Sequence, residues 1–333
     1  EIFQHAIVQI NSPHRRNDRL NPDLPRRLRQ IILTVPPAMT ISERNLYEFW
    51  ARAAIDTLWK TLNWDNPRYD FQSKPQVQVR LDEASATQLV FVYNEIAIKF
   101  AGDSTSYFAT FGKPRPFDPH SPALRVASID IGGGTTDMVV TSYVNESENV
   151  TNIISPRQEF RESFNFAGDD IVKVLIERHI LPQIAGSLHQ SGHVNAEDFI
   201  VGRFGRNTIG ITQKEKNLRK QITQQVLQPI AFALLDALEH GDSASVTEPI
   251  RLDTAKVLEH SHIGQEVTNF LMPPRQGKEV WSIRATDLFF DLASVEQSIK
   301  DAMTPYLTDR MEVVHQLDCD FLLISGRPSC LPA

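Results

Sequence analysis

Cysteine is scarce in this chain, because only two occur among its 333 residues, Cys319 and Cys330. Two cysteines this isolated fit neither a disulfide framework nor a cysteine-based metal site, and they suit a reducing compartment. Long apolar runs are also lacking, since none approaches the roughly 20 residues that cross a bilayer. We therefore expect a cytoplasmic protein without a membrane span.

Basic charge is in deficit, with 34 Lys and Arg against 41 Asp and Glu and a formal net charge of −7. This balance argues against nucleic acid as a partner. Two common phosphate-binding motifs are missing as well. The Gly-Lys pairs, Gly112-Lys113 and Gly277-Lys278, lack the other residues of a Walker loop. The main glycine cluster is followed by β-branched residues rather than by the helix of a Rossmann fingerprint.

The chain does contain the run Asp130-Ile-Gly-Gly-Gly-Thr-Thr-Asp137. Apolar β-forming residues lead up to Asp130 and away from Asp137, so the glycines are expected to turn a β-hairpin. Without Cβ atoms, the three glycines allow backbone N–H groups to converge on a phosphate. Asp130 can hold a metal through water, and Thr135 can hydrogen-bond to a phosphate. The alternative is a plain glycine-rich hairpin.

The first part of the chain is predicted to alternate between strands and helices. Gln30–Val35 is expected to be a short buried strand. Thr40 and Glu43 form a capping-box pair, so a helix should run from there to about Leu62. Its apolar stripe is predicted at Leu46, Phe49, Trp50, Ala53, Ala54 and Leu58. Val77–Leu81 follows as a strand and Leu89–Phe100 as a helix, and the proline-rich residues 101–122 are typical of a linker.

Helical patterns dominate the second part. After Gly168-Asp169-Asp170, residues 171–181 are predicted to form an amphipathic helix, and residues 182–280 are expected to be helix-rich. Near the end, one apolar helix face is predicted at Phe289, Leu292, Val295, Ile299, Met303 and Leu307. Phe321–Ile324 is then predicted to be a buried strand that opens into a turn.

In this order the motifs resemble the actin-like ATPase superfamily, which includes actin, sugar kinases and DnaK-type chaperones. Thr34-Val-Pro36 looks like that family's T-V-P unit, and residues 82–86 are similar to the chaperone N-E-P-T-A segment. The run from Asp130 to Asp137 is close to the second phosphate motif, D-[LI]-G-G-G-T-x-D. Residues 168–170 look like the chaperone G-G-E-D, and residues 323–332 resemble the adenosine motif L-V-G-G-S-T-R-I-P.

The segments QINSPHRR, LTVPPAMTISERN, SIDIGGGTTDMVV and LISGRPSCLP look most like the SrfB family, large bacterial proteins labelled virulence factors. The resemblance implies an α/β fold of the actin-like, ribonuclease H-like type, with two lobes and an inserted helical subdomain. Residues 1–122 would form part of the first lobe, residues 123–168 and 281–333 the second-lobe core, and residues 169–280 the insertion. It also puts the first phosphate hairpin before Glu1, so we expect the chain alone to bind ATP weakly or not at all and to be inactive as an enzyme.

ATP and Mg²⁺ are the ligands that the resemblance implies. Asp130 would lie near Mg²⁺ through water, Thr135 would contact the γ-phosphate, and Glu83 would help to order the attacking water. The other residues expected to bind nucleotide are Gly132, Gly133, Gly134, Thr136, Gly168, Asp169, Ser325, Gly326 and Arg327. Arg327 stands where the adenosine motif has its second glycine, so it would either stack on adenine or block it.

Two functions are therefore compared. The first is an actin-like or chaperone-like ATP-binding protein that hydrolyses ATP slowly with Mg²⁺ and thereby switches the binding of a protein partner. The sequence does not identify this partner. The resemblance to the SrfB family links this function to bacterial virulence. The alternative is a non-catalytic scaffold that keeps the actin-like fold with a degenerate nucleotide site. The sequence leaves enzymatic activity open. A sugar kinase fits less well, because the T-V-P and G-D-D segments match the chaperone and bacterial cytoskeletal branches better.

Overall fold

The computed structural model describes residues 1–17, 20–26, 28–37, 39–64, 66, 74–146, 153–205, 210–241, 248–272 and 281–331. Gly277-Lys278 and Pro332, mentioned above, lie outside these residues. The chain separates into two compact units. The first comprises Glu1–Asp130, Asp137–Ser163 and Asp318–Leu323, and the second comprises Ile131–Thr136, Phe164–Leu317 and Ile324–Ala333. These divisions differ from the lobe boundaries given above, which stay a prediction.

Helices and open sheets are mixed in the chain, which confirms the α/β class at that level. The actin-like form of that class stays a prediction. The first unit starts with the following elements: α1 (Ile2–Ile10), α2 (Pro13–Asn17), β1 (Gln30–Val35), α3 (Ile41–Thr61), β2 (Gln76–Asp82), α4 (Glu83–Asn94) with a π-helical turn (Glu95–Lys99), and α5 (Ser104–Phe111).

Strands β1 and β2 pair in parallel, with Gln30 opposite Gln76, and α3 connects them. The capping box of α3 is present, since Thr40 and Glu43 each accept a hydrogen bond from the other's backbone N–H group. The strand prediction for residues 30–35 is confirmed. Its predicted burial is wrong for most of the strand, because only Val35 is fully buried.

The predicted apolar stripe of α3 is also wrong. The buried residues of this helix are Ala51, Ile55 and Trp59, which pack with Val77 of β2 and its neighbours. Leu46, Phe49 and Trp50 are 56–62% exposed. The helix carries two apolar stripes on nearly opposite faces, and helical spacing alone could not say which of them the sheet covers.

A five-stranded sheet forms the rest of the first unit. Its strands are β3 (Lys113–Arg115), β4 (Asp118–Ile131), β5 (Thr136–Asn145), β6 (Ile154–Phe164) and β9 (Phe321–Ser325). The order is β3-β4-β5-β6, and β9 also pairs with β4. Tyr107 and Phe108 of α5 are buried in the core beside this sheet. The linker prediction for residues 101–122 is therefore wrong, because this segment contains the packed helix α5, and Pro114, Pro119 and Pro122 lie within strands β3 and β4.

The second unit is mainly helical. Its elements are α6 (Gly168–Leu175) with a π-helical turn (Ile176–Ile180), α7 (Leu181–Gln190), α8 (Ala196–Phe204), α9 (Gln213–Ile222) with a π-helical turn (Thr223–Leu227), α10 (Gln228–His240), β7 (Ile250–Asp253), α11 (Thr254–Val257), α12 (Gln265–Leu271), β8 (Asp287–Phe290) and α13 (Leu292–Gln316). Strands β7 and β8 pair antiparallel.

Helix α13 buries Leu292, Val295, Ile299 and Met303, as predicted. The predicted start at Phe289 is wrong, because that residue belongs to β8 and is about half exposed. The Asp291 carboxylate accepts a hydrogen bond from the Ala293 N–H group, which caps the helix and fixes its first turn.

Candidate functional site

The motif Asp130–Asp137 forms the predicted β-hairpin. Strands β4 and β5 are neighbours in the sheet, and Gly132–Thr135 connects them. The Gly132 N–H group donates to the Thr135 carbonyl over 2.9 Å. β-Branched and apolar residues fill the strands on both sides and are buried, which explains why the chain turns at the glycines rather than earlier.

The start of α6 holds one side of this turn. The Gly168 N–H group donates to the Gly132 carbonyl over 3.0 Å, and the Asp169 N–H group donates to the Gly133 carbonyl over 2.7 Å. The Asp170 carboxylate accepts from the Ala167 N–H group over 3.1 Å, which fixes the first turn of the helix. Gly168 and Asp169 therefore contact the turn, as the motifs suggest. Their backbone N–H groups already donate to turn carbonyls, so these donors are not open to a ligand.

Gly326 packs against the other side of the turn's base. Its φ is +92°, a value that side-chain-bearing residues rarely adopt, and a Cβ atom there would lie 2.0 Å from the Ile131 carbonyl oxygen. Only glycine permits this approach. The sequence predicts that Gly326 binds nucleotide, and the structure gives a different reason for glycine at this position, namely its close packing against Ile131.

Two neighbouring threonines have different surroundings. Thr136 is buried, and its hydroxyl donates to the Phe166 carbonyl over 2.5 Å, so it braces the hairpin. This bond uses the donor that Thr136 would have offered to a nucleotide. Thr135 is partly exposed at the turn. Of the two hydroxyls, only that of Thr135 stays accessible to a ligand.

The tip of the turn, defined as Gly133, Gly134 and Thr135, leaves backbone donors open. Within the described residues, none of their three N–H groups donates to a protein acceptor. A Cβ atom on Gly133 or Gly134 would meet no other atom within 4 Å, and neither residue has a positive φ. Neither packing nor backbone conformation thus requires glycine at these two positions, in contrast to Gly326.

Four carboxylates of the first unit influence one another. Glu83 begins α4, directly after Asp82, whose carboxylate caps the helix by accepting from the Ser85 N–H group over 2.7 Å. The pKa of Glu83 is raised, mainly by desolvation and then by repulsion from Asp130, Asp137 and Asp82. The pKa of the buried Asp137 is raised for the same kinds of reason, although the hydrogen bond from the Ser163 hydroxyl opposes the shift.

Gln88 is a site-supporting residue that sequence reasoning missed. It is fully buried, and its amide nitrogen donates to the Ser128 hydroxyl over 2.8 Å and to the Val139 carbonyl over 3.0 Å. The Tyr143 hydroxyl donates to its amide oxygen over 3.0 Å. These bonds connect α4 to β4 and β5. The helical spacing of Gln88 with the buried Ala84 and Val92 is a signal that could have found it.

The expected adenosine segment follows β9. Ser325 ends that strand, and Arg327 begins a short 3₁₀ turn, Arg327–Cys330, with its side chain exposed. Arg327 lies close enough to His240, at the end of α10, to lower its pKa. The net pKa of His240 is nevertheless raised, because its ring hydrogen-bonds to the Asp236 carbonyl and lies near the Asp236 and Glu239 carboxylates.

No cluster of three or more His, Cys, Asp or Glu side chains suited to a metal ion occurs among the described residues. A direct multi-carboxylate metal site is thus not present in that part of the chain, whereas a water-mediated contact from Asp130 alone needs no such cluster. None of the helices in the described ranges combines the length and apolar character needed to cross a membrane.

Comparison with known proteins gives one family. No curated protein matches the chain. The family model described as virulence factor SrfB matches residues 1–333. Because the match covers the whole chain, the chain belongs to the SrfB family.

Proposed function

We propose that this chain binds Mg·ATP through the tip of the hairpin turn, and that it is part of a slow, actin-like ATPase whose nucleotide state switches the binding of a protein partner. One observation carries the proposal. The tip has three N–H groups without a protein acceptor among the described residues, next to two glycines that neither packing nor conformation requires.

Phosphate suits the tip chemically. Adjacent backbone N–H groups form a concave donor set that attracts anions, and the absence of side chains at Gly133 and Gly134 lets phosphate oxygens come within hydrogen-bonding distance. The Thr135 hydroxyl adds a donor beside them. The first N–H groups of α6 are bonded to turn carbonyls, so α6 holds the tip in shape and contributes the positive end of its dipole.

The carboxylates have a separate role in the proposal. Asp130 would hold Mg²⁺ through water, and Glu83 would orient the attacking water. Mg²⁺, when bound, supplies charge neutralisation at the phosphates. The raised pKa of Glu83 supports this assignment, because nearby carboxylates disfavour its charge and a cation in the same region would relieve that repulsion.

Arg327 is the residue assigned to the nucleoside end of ATP. Its exposed guanidinium is a planar cation of the kind that stacks on aromatic rings, so we assign it to adenine. Ser325 and the Gly326 backbone would lie beside it. Thr136 is left out of the proposed contacts, because its hydroxyl is buried and bonded to Phe166.

The second candidate is a non-catalytic scaffold. One finding favours it: Gly326 is explained by packing without a ligand. In this version the turn keeps its shape because the fold needs it. ATP binding separates the two candidates directly.

Isothermal titration of the natural full-length protein with Mg·ATP tests the proposal. Binding is expected, and Gly133→Ala and Gly134→Ala should each weaken it by about tenfold, the equivalent of one good hydrogen bond to a charged group. Gly202→Ala, at an open glycine in α8, is the matched control and should bind as the parent does. No binding would favour the scaffold, and equal binding by all variants would contradict the assignment of the phosphate site to the tip.

Hydrolysis is tested separately. Asp130→Ala and Thr135→Ala should each lower turnover on the order of 10²-fold, as losing one placed electrostatic contact typically does. Glu83→Gln should lower turnover to a similar extent while leaving ATP affinity nearly unchanged, since its assigned role is to orient water. Binding without turnover, or turnover that none of the three variants changes, would contradict the ATPase proposal.

A further inference from the structure

Helices α7 and α8 form a hairpin of two helices in the second unit, joined by residues 191–195. The two helices contact each other, and Ala185 and Leu188 of α7 and Ile200 of α8 are buried. A cavity of about 1000 Å³ opens along this pair, lined by residues of both helices and of the turn that joins them. We call it the α7–α8 groove. None of its lining residues belongs to the hairpin motif described above.

A glycine in the middle of α7 keeps the groove open. Gly186 lines it, and a Cβ atom there would meet no other atom within 4 Å. Glycine inside a helix costs roughly 0.5–1 kcal/mol relative to alanine, and neither a positive φ nor close packing requires it here. Larger side chains at this position would fill the groove, so the glycine preserves space for an occupant.

The walls of the groove are apolar at several points. Ile200 and Phe204 of α8 line it, and Val194 and Val201 add apolar side chains that are 80% and 67% exposed. The length of α7, ten residues or about 15 Å at 1.5 Å per residue, suits roughly three turns of a docked helix. Grooves between helices with apolar side chains in their walls are recurrent receptors for amphipathic helices.

Charge indicates the kind of partner. Glu177, Glu197 and Asp198 line the groove, whereas Lys and Arg are absent from its described lining. The whole chain has a formal net charge of −7, so a second copy would meet like charge at this surface. A ligand with Lys or Arg beside its apolar face would instead gain from the Glu197 and Asp198 carboxylates.

We propose that the α7–α8 groove binds a short amphipathic helix of a partner protein, which places apolar side chains over Gly186 and Lys or Arg side chains beside Glu197 and Asp198. This inference does not depend on nucleotide binding at the hairpin.

Selection from a displayed library of random 12-residue peptides tests the proposal. Peptides enriched on the parent protein should have apolar residues three or four positions apart and an excess of Lys and Arg. Gly186→Leu should weaken the binding of a synthesised enriched peptide at least tenfold, because the Leu side chain would project into the groove at this position. Fluorescence anisotropy measures the affinity. Gly202→Leu is the control: Gly202 is an open helix glycine of α8 outside the groove lining, and this variant should bind as the parent does.

The double variant Glu197→Lys, Asp198→Lys reports on charge and should lower affinity for a basic peptide about tenfold. Circular dichroism of each variant checks that the helices are retained. The proposal is overturned if enriched peptides are acidic or neutral, if no peptide depends on Gly186, or if sedimentation shows parent self-association that Gly186→Leu abolishes, since a second copy would then be the occupant.

Discussion

The base and the tip of the hairpin turn differ in how the chain uses their polar groups and glycines. At the base, the Gly132 carbonyl, the Thr136 hydroxyl and the Ile131 backbone all have close protein neighbours. At the tip, Gly133, Gly134 and Thr135 have space around them and N–H groups without acceptors in the described part of the chain. Glycine at the base is thus explained by the fold, whereas the fold does not require glycine at the tip, where the proposed ligand would account for it.

The largest expected effect is at the base. Gly326→Ala should destabilise the protein by at least about 3 kcal/mol, because the new Cβ would lie 2.0 Å from the Ile131 oxygen and the residue has a φ of +92°. Urea unfolding measures the change. Gly192→Ala separates the two causes, since Gly192 has a φ of +89° and open space, and should cost only about 1 kcal/mol. Equal losses in the two variants would mean that the contact with Ile131 is unimportant.

The adjacent threonines give the next largest effect. Thr136→Val should cost about 1–2 kcal/mol, because it keeps the shape of the side chain while leaving the buried Phe166 carbonyl without its hydroxyl donor. Thr135→Val should change stability by less than about 0.5 kcal/mol, since that side chain is partly exposed. Thermal unfolding of the two variants measures the difference. A reversal of this order would move the structural role from the base to the tip.

Sequence reasoning located the hairpin well because strand-forming residues and glycines carry local signals. The sequence alone could not predict which face of α3 is buried. Leu46, Phe49 and Trp50 have the spacing of a core stripe but are exposed. Packing against the sheet determines that Ile55 and Trp59 are buried instead. Gly326 was recognised by its motif, but its contact with Ile131 joins residues nearly 200 positions apart. Such pairings depend on tertiary packing, which no local pattern contains.

A smaller effect concerns pH at Asp137, the residue directly after Thr136. Its pKa is raised in the folded state, so the folded chain binds more protons than the unfolded chain between the ordinary value of 3.8 and the raised value. The contribution of Asp137 to stability should therefore fall as pH rises from about 4 through that window. Ser163→Ala should steepen the fall, because the Ser163 hydrogen bond lowers the Asp137 pKa.

Asp137→Asn provides the reference for that experiment, since it removes the titrating group and its share of the slope. Urea unfolding of the parent and both variants, at pH values between 4 and 7, gives the three slopes. If Ser163→Ala and the parent lose stability equally with pH, the Ser163 hydroxyl does not control the Asp137 pKa.

The smallest expected change in stability is at the tip. Gly133→Ala and Gly134→Ala should alter the free energy of unfolding by no more than about 0.5 kcal/mol, because both positions have room for a Cβ and neither has a positive φ. A slight gain is compatible with the structure, since alanine restricts the unfolded chain.

Gly132→Ala is the internal control, and it should cost more because its Cβ would lie 2.9 Å from the Thr135 carbonyl oxygen. Chemical unfolding of the three variants, beside ATP titration of the same samples, tests whether stability and affinity separate. A large stability loss in Gly133→Ala would show that the backbone itself needs this glycine, and the tip would then no longer indicate a ligand.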